Sequence, residues 1–177
     1  MVGFQKNLFE FMLIEVKIGA LIMEPNTNTP IVVLKGVTSE TILPIWVGAY
    51  EANAIALEIE KIVPQRPMTH DLLRNFIVQT GLIILQVTIT ELLENTFYAV
   101  IELSDPDGNL ISLDARPSDA IALALRFDCS IFVKQNVLDN SNTSIQNNVA
   151  ADKDLNELAE EWPDLICLLY TSPSPRD

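Results

Sequence analysis

Seven polar side chains stand out as able to do chemistry: Glu51, Arg66, His70, Asp71, Asp114, Arg116 and Asp119. They come from three separate stretches of chain, each at a junction between regular elements. Junctions expose backbone and side chains while rigid elements hold them in place. His70 is the single histidine, so any imidazole base or ligand is this one. Glu51, Asp71, Asp114 and Asp119, with His70, offer the oxygen and imidazole donors that Mg²⁺ or Mn²⁺ accepts. Such an ion would polarise a phosphate and activate water for phosphodiester hydrolysis, with His70, Asp71 and Asp119 at the reacting atoms. Arg66 and Arg116 would hold the phosphate through paired guanidinium donors. Each residue also has a structural reading. Asp71 and Asp119 suit helix dipoles, the arginines suit ion pairs with carboxylates, and His70 beside a helix start suits a simple hydrogen bond. Both readings stay open at this point.

The elements that must position these groups follow from apolar spacing. Ile14, Val16, Ile18, Ala20 and Ile22 alternate and predict one face of a strand over 13–22. Pro25–Pro30 is a turn, and 31–34 and 42–47 read as two more strands. Gly48 opens a helix with Ala52, Ile55, Ala56, Ile59 and Ile62 on one stripe. A second helix starts near Thr69 as N-cap, has Leu72, Leu73, Phe76 and Ile77 as its apolar face, and stops at Gly81. Strands follow over 85–92 and 96–103, with Leu85, Val87 and Ile89 pointing one way and a tight turn at Glu94-Asn95. After the turn at 105–109 comes a strand over 110–113. A third helix then begins near Pro117, apolar all round over 120–125 and therefore buried on most sides. A short strand over 131–133 is the last. Ala54-Ile55-Ala56-Leu57 recurs as Ala120-Ile121-Ala122-Leu123, as a duplicated strands-then-helix unit would produce. The expected fold is α+β, with mostly antiparallel sheets and about three core helices.

Composition narrows the function classes. The chain has 177 residues, 49% of them hydrophobic and 20% charged, enough for one packed domain and too apolar for a disordered chain. Charged residues interrupt every apolar run before it reaches membrane-spanning length, so no membrane partner is expected. Glu10 and Glu15 sit where a secretory leader would need its apolar stretch, which points to a cytoplasmic protein. The net charge of −13 works against electrostatic capture of nucleic acid. Residues 1–138 hold 16 acidic and 9 basic side chains, whereas 139–177 hold 8 and 2, so the excess is densest in the tail. The expected organisation is a domain over 1–138, then an Asn-rich linker and acidic helical tail over 139–166. The segment 167–177 resembles the translation of a sequencing-library adapter rather than native chain. Cys129 is then the one native cysteine, read as a half-buried structural thiol in a reducing compartment. No Walker loop, dinucleotide glycine fingerprint, zinc-type cysteine pairing or Gly-x-Ser-x-Gly elbow is present.

Three segments taken together resemble the bifunctional nuclease family: Leu43-Pro44-Ile45-Trp46-Val47-Gly48 through Glu51-Ala52, Arg66-Pro67-Met68-Thr69-His70-Asp71-Leu72-Leu73, and Asp114-Ala115-Arg116-Pro117-Ser118-Asp119 through Ala124. The resemblance covers roughly residues 11–138. It implies an α+β domain with combined DNase and RNase activity, and its motif positions fall on Glu51, Arg66, His70, Asp71, Arg116 and Asp119. The favoured expectation is a nuclease-like domain acting on DNA or RNA with Mg²⁺ or Mn²⁺. Its rivals are a non-catalytic binding or homo-oligomeric assembly module, in which the same residues form ion pairs, and a small-molecule-binding domain with a concave pocket near the junctions.

Overall fold

The computed structural model describes residues 12–148. The chain forms β1 (Leu13–Met23), β2 (Pro30–Gly36), β3 (Ile42–Trp46), α1 (Ala49–Ile59), α2 (Thr69–Gln79), β4 (Ile83–Leu93), β5 (Thr96–Ser104), β6 (Leu110–Ala115), α3 (Pro117–Phe127), β7 (Ile131–Lys134) and α4 (Gln135–Asn148). This is the expected α+β class. The seven strands make one sheet in the order β3-β2-β1-β7-β4-β5-β6. Every pairing is antiparallel except β4 with β7. The order strand-strand-strand-helix occurs twice, as β1-β2-β3-α1 and β4-β5-β6-α3, and β7 lies between the two halves. The helices that carry the repeated Ala-Ile-Ala-Leu segment, α1 and α3, pack on each other.

The main core lies between the sheet and these helices. Val16, Leu21, Leu34, Leu43, Ile45, Val87, Ile89, Ile101 and Val133 from the strands meet Ile55, Ile121 and Leu123 from the helices. As predicted, α3 is buried continuously from Ala120 to Ala124. Pro117 holds its first position, where a missing N–H costs nothing.

Two bulges overturn the simple alternation read from the sequence. The β1–β2 register shifts between Ile18 and Ala20, at Gly19. Val16 and Leu21 therefore face the main core, while Ala20 and Ile22 join Ile31 and Val33 in a second cluster on the other side. The β4–β5 register shifts between Ile84 and Gln86, which leaves Leu85 exposed and gives its expected core place to Ile84. One inserted residue exchanges the faces of everything beyond it.

Helix boundaries also differ. Met68, not Thr69, is the N-cap of α2; its N–H donates to Asp71 Oδ2 at 2.9 Å. Of the expected apolar face of α2 only Ile77 is buried, and Leu72, Leu73 and Phe76 are exposed. Ile62 lies past the end of α1 and is exposed. The residues read as the start of a linker at 139 continue α4 to Asn148. Val137 and Leu138 dock the helix in the core, and Ser141 is buried with its hydroxyl on Leu138 O at 2.9 Å. The acidic helical tail and the segment 167–177 lie outside the described residues. No helix among the described residues is long and apolar enough to cross a membrane.

Candidate functional site

Four of the seven singled-out side chains form one connected cluster where the N-termini of α1, α2 and α3 converge. Glu51 is in the first turn of α1, His70 and Asp119 are in the first turns of α2 and α3, and Arg116 is the N-cap of α3. Asp119 Oδ1 lies 3.0 Å from His70 Nε2, and Asp119 Oδ2 accepts from Arg116 Nε at 2.7 Å. Arg116 Nη1 reaches Glu51 Oε1 at 2.9 Å. The result is a chain Glu51–Arg116–Asp119–His70. Helix N-termini favour negative charge nearby, which explains two carboxylates at this point. Glu51 folds back over Gly48, where a Cβ would run into its carboxylate. Gly48 therefore leaves room for Glu51 to point at Arg116.

Exposure grades across the cluster. The Arg116 side chain is 65% exposed and that of His70 only 13%. Burial pushes the Asp119 carboxyl up, but the hydrogen bonds and charges of Arg116 and His70 outweigh it and hold its pKa below the usual value of 3.8. The bond to Asp119 and its charge raise the pKa of Arg116 in turn, so the guanidinium stays charged at any working pH. With Nε2–H given to the Asp119 carboxylate, the proton-accepting nitrogen of neutral His70 is Nδ1.

The other three residues stand apart, which corrects the picture of one convergent set. Asp71 Oδ1 accepts from Arg126 Nε at 2.7 Å, and the Arg126 side chain is 4% exposed. Burial raises the Asp71 carboxyl, but the bonds from Arg126 and the Met68 N–H, with the charges of Arg126 and His70, bring its pKa below 3.8. Arg126 Nη1 also donates to Ala122 O at 2.9 Å and Ala54 O at 3.2 Å, so this ion pair ties α1, α2 and α3 together. Asp71 thus pairs with Arg126 and not with Arg116. Asp114 is opposite Val100 on β6, on the face where Thr88 lies, whereas its neighbours Leu113 and Ala115 share the face of Ile101 and Ala99 that the helices cover. Its side chain is on the wrong side of the sheet. Arg66 is exposed in the loop between α1 and α2, and none of the ion pairs among the described residues includes it.

Sequence reading missed Arg126. The signal was there: an arginine in the last turn of an otherwise apolar helix must either reach solvent or meet a buried carboxylate.

Glu51 and Asp119 thus sit on Arg116, Asp71 on Arg126, and Asp114 on β6. Among the described residues, no three His, Cys, Asp or Glu side chains gather as a metal-holding group. Glu51 and Asp119 already face Arg116, a cation where the ion would sit. A shallow cleft does lie beside α2, lined by Leu57, Ile62, Pro67, Asp71, Arg74 and Arg126 among others. It adjoins the structural ion pair rather than the four-residue cluster. Cys129 is half-buried, and burial raises its thiol pKa, as an inert structural cysteine requires.

Comparisons with known proteins bear out the family resemblance. Residues 32–146 match the bifunctional nuclease domain, a stretch that contains all four members of the cluster. The chain is 42% identical over 124 residues to "Uncharacterized protein MT1877" of Mycobacterium tuberculosis strain CDC 1551, covering 70% of this chain and 73% of that protein. It is equally similar, with the same coverage, to "Uncharacterized protein Rv1829" of strain H37Rv. With the site's three segments inside the matched region, this chain belongs to the bifunctional nuclease domain family.

Proposed function

We propose that the Glu51–Arg116–Asp119–His70 cluster is a phosphodiester-hydrolysing site that acts on DNA or RNA strands. The observation that carries this is the position of Asp119, whose two oxygens hold a titratable imidazole and a solvent-facing guanidinium at the same time. His70 accepts a proton from the attacking water as its oxygen bonds to phosphorus, the P–O bond to one sugar oxygen breaks, and the ring then returns the proton to that departing oxygen. Asp119 orients the ring and stabilises its charged form, as the carboxylate of a serine-protease triad does for its histidine. Arg116 binds the scissile phosphate and meets the charge that builds on its oxygens, while Glu51 fixes the guanidinium plane. Exposed Arg66, four residues before His70, takes a neighbouring phosphate. No step is routed through a metal. Mg²⁺ or Mn²⁺ would have to displace Arg116 from Glu51 and Asp119, so both ions are arms of the test rather than parts of the mechanism.

The test is hydrolysis of fluorescently labelled single-stranded DNA and RNA, with EDTA, Mg²⁺ or Mn²⁺, by wild type, His70→Ala, Asp119→Asn and Arg116→Ala. Loss of a positioned general base lowers the rate by about 10²–10⁴-fold. Equal rates in all four proteins refute the proposal. A second reading has its own support, because Glu51, Asp71 and Asp119 each already have an arginine partner. On that reading the cluster is a clamp in a non-catalytic binding module. Arg116→Ala would then lower stability, and wild type would bind oligonucleotides or other ligands without turnover.

A further inference from the structure

The net charge of −13 limits how the cluster can hold a polyanion. Where charge carries the affinity for nucleic acid, each phosphate contact needs a lysine or an arginine. The proposed site offers two, Arg116 and Arg66. Two such contacts capture a strand weakly, and the acidic surface around them repels it. A strand held at this site needs a second source of affinity that does not depend on charge.

The first turn of α1 carries such a source. Tyr50, next to Glu51, is 89% exposed, the most exposed aromatic side chain among the described residues. Gly48 and Ala49 before it are exposed too and are too small to cover its ring. Asn53 lies three residues further, one turn along the same side of the helix. It is half-buried, and its side-chain amide makes no hydrogen bond among the described residues. Glu51, between the two in sequence, holds the Arg116 guanidinium at 2.9 Å. Consecutive Cα atoms are ~3.8 Å apart. A phosphate on Arg116 and a base on Tyr50 therefore belong to the same nucleotide or to neighbouring ones.

We infer that Tyr50 and Asn53 form a base-binding platform that makes this site select unpaired nucleotides. The inference rests on the reading of Arg116 as the phosphate-binding group. The Tyr50 ring stacks on one base of the strand, and the Asn53 amide, both donor and acceptor, meets the edge of that base. Every base has an aromatic face, so the platform takes any sequence. In a duplex each base is covered by its neighbours and is out of reach of the ring. Stacking of one base changes Kd by roughly 5–150-fold when the aromatic side chain is truncated. A strand held by two phosphate contacts and one stacked base also has a shallow salt dependence. The slope of log K against log salt is about −1.4 for a single strand.

The test measures binding rather than turnover, on the full chain in a His70→Ala background, which removes the proposed base and keeps both arginines. Fluorescence anisotropy in EDTA follows a labelled oligothymidylate, the same strand with abasic sites, and the matched duplex. Tyr50→Ala is expected to weaken binding of the intact strand about tenfold or more, and Tyr50→Phe by less than about twofold. Asn53→Ala is expected to weaken it about fivefold. The circular dichroism spectrum stays unchanged in all three, because Tyr50 and Asn53 lie outside the core. The abasic strand is expected to bind as weakly as the intact strand binds Tyr50→Ala, with no further loss when the two changes are combined. The duplex is expected to bind less tightly than the single strand. The inference is overturned if the intact strand does not bind, if Tyr50→Ala binds it as tightly as the background does, or if Tyr50→Phe loses as much as Tyr50→Ala. It is overturned equally if the abasic strand or the duplex is held as tightly as the intact strand, and unchanged binding by Asn53→Ala removes that residue from the platform. Failure of hydrolysis with this binding pattern intact sinks the catalytic reading alone, so the two outcomes are distinguishable.

Discussion

Removing the Asp71 carboxylate tests whether this residue holds the fold or does chemistry. In Asp71→Ala the Arg126 guanidinium, with 4% of its side chain exposed, keeps the carbonyls of Ala54 and Ala122 but has no counter-charge. Breaking a buried pair from one side costs about 3–5 kcal/mol. Asp71 itself is 24% exposed, so solvent softens the loss and the lower end, about 3 kcal/mol, is expected. The lost bond to the Met68 N–H contributes about 1 kcal/mol of this, by analogy with other helix caps. At roughly 2–4 °C per kcal/mol for a domain of this size, the melting temperature falls by roughly 10 °C. Arg126→Met is expected to cost a similar amount, because it strands Asp71. The double variant Asp71→Ala/Arg126→Met loses the cap bond and the two Arg126–carbonyl bonds, about 1 kcal/mol each, but strands no charge, so it costs about 3 kcal/mol where the single effects together make about 6, a coupling of about 3 kcal/mol. Urea denaturation followed by circular dichroism measures all four proteins. A cost below about 1 kcal/mol for Asp71→Ala, or additive single effects, refutes the assignment of Asp71 as a structural partner.

Other expectations follow from the same geometry. Asp71 and Asp119 have native pKa values below 3.8, so the unfolded chain holds more protons in acid. Their contribution to stability is therefore full at neutral pH and is lost as the pH falls below about 3.8 through the native values, and urea midpoints measured down an acid series are expected to drop in that window and not above it. Gly48→Ala is expected to leave the melting temperature nearly unchanged while lowering activity or ligand binding, because the new Cβ displaces only the mobile end of Glu51; a folding defect would contradict this. Gly81→Ala places an L side chain at φ +75° and is expected to cost about 1 kcal/mol, read from the urea midpoint. In a Cys167→Ser background, half-buried Cys129 is expected to react with a thiol reagent more slowly than an exposed thiol, because burial raises its pKa, and labelling as fast as a free thiol in native buffer would refute this.

The strands and helices were legible because the sheet is half-buried and its period-two pattern is strong, as in Phe97, Ala99, Ile101 and Leu103. Glu94-Asn95 was readable as a tight turn, and both residues adopt positive φ. Faces were less legible than elements. Nothing local to β1 says that Gly19 carries a bulge, so Ala20 and Ile22 were placed with Val16 although they sit on the other side. The apolar spacing of α2 was real, but of Leu72, Leu73, Phe76 and Ile77 only Ile77 meets the core. The site was half legible. Residue type and junction position picked out Glu51, His70, Arg116 and Asp119, whereas Asp71 and Asp114 were told apart only by a distant arginine and by the parity of β6. α4 was missed past Leu138 because its anchoring residues, Val137 and Leu138, precede the asparagine run that looked like linker.

The place of β7 bears on how the protein is made. Of the described strands, the last to leave the ribosome is the central one in the sheet, hydrogen-bonded to β1 on one side and to β4 on the other. Each three-stranded meander can assemble from its own neighbouring residues as soon as it emerges. Joining the two waits for Ile131–Lys134, four residues whose contacts with β1 span nearly the whole described chain. Until then β1 and β4 are open edges, able to capture strands from other nascent chains. Synthesis that stops short of β7 leaves two sticky half-sheets, whereas synthesis that continues a few residues further closes the seam.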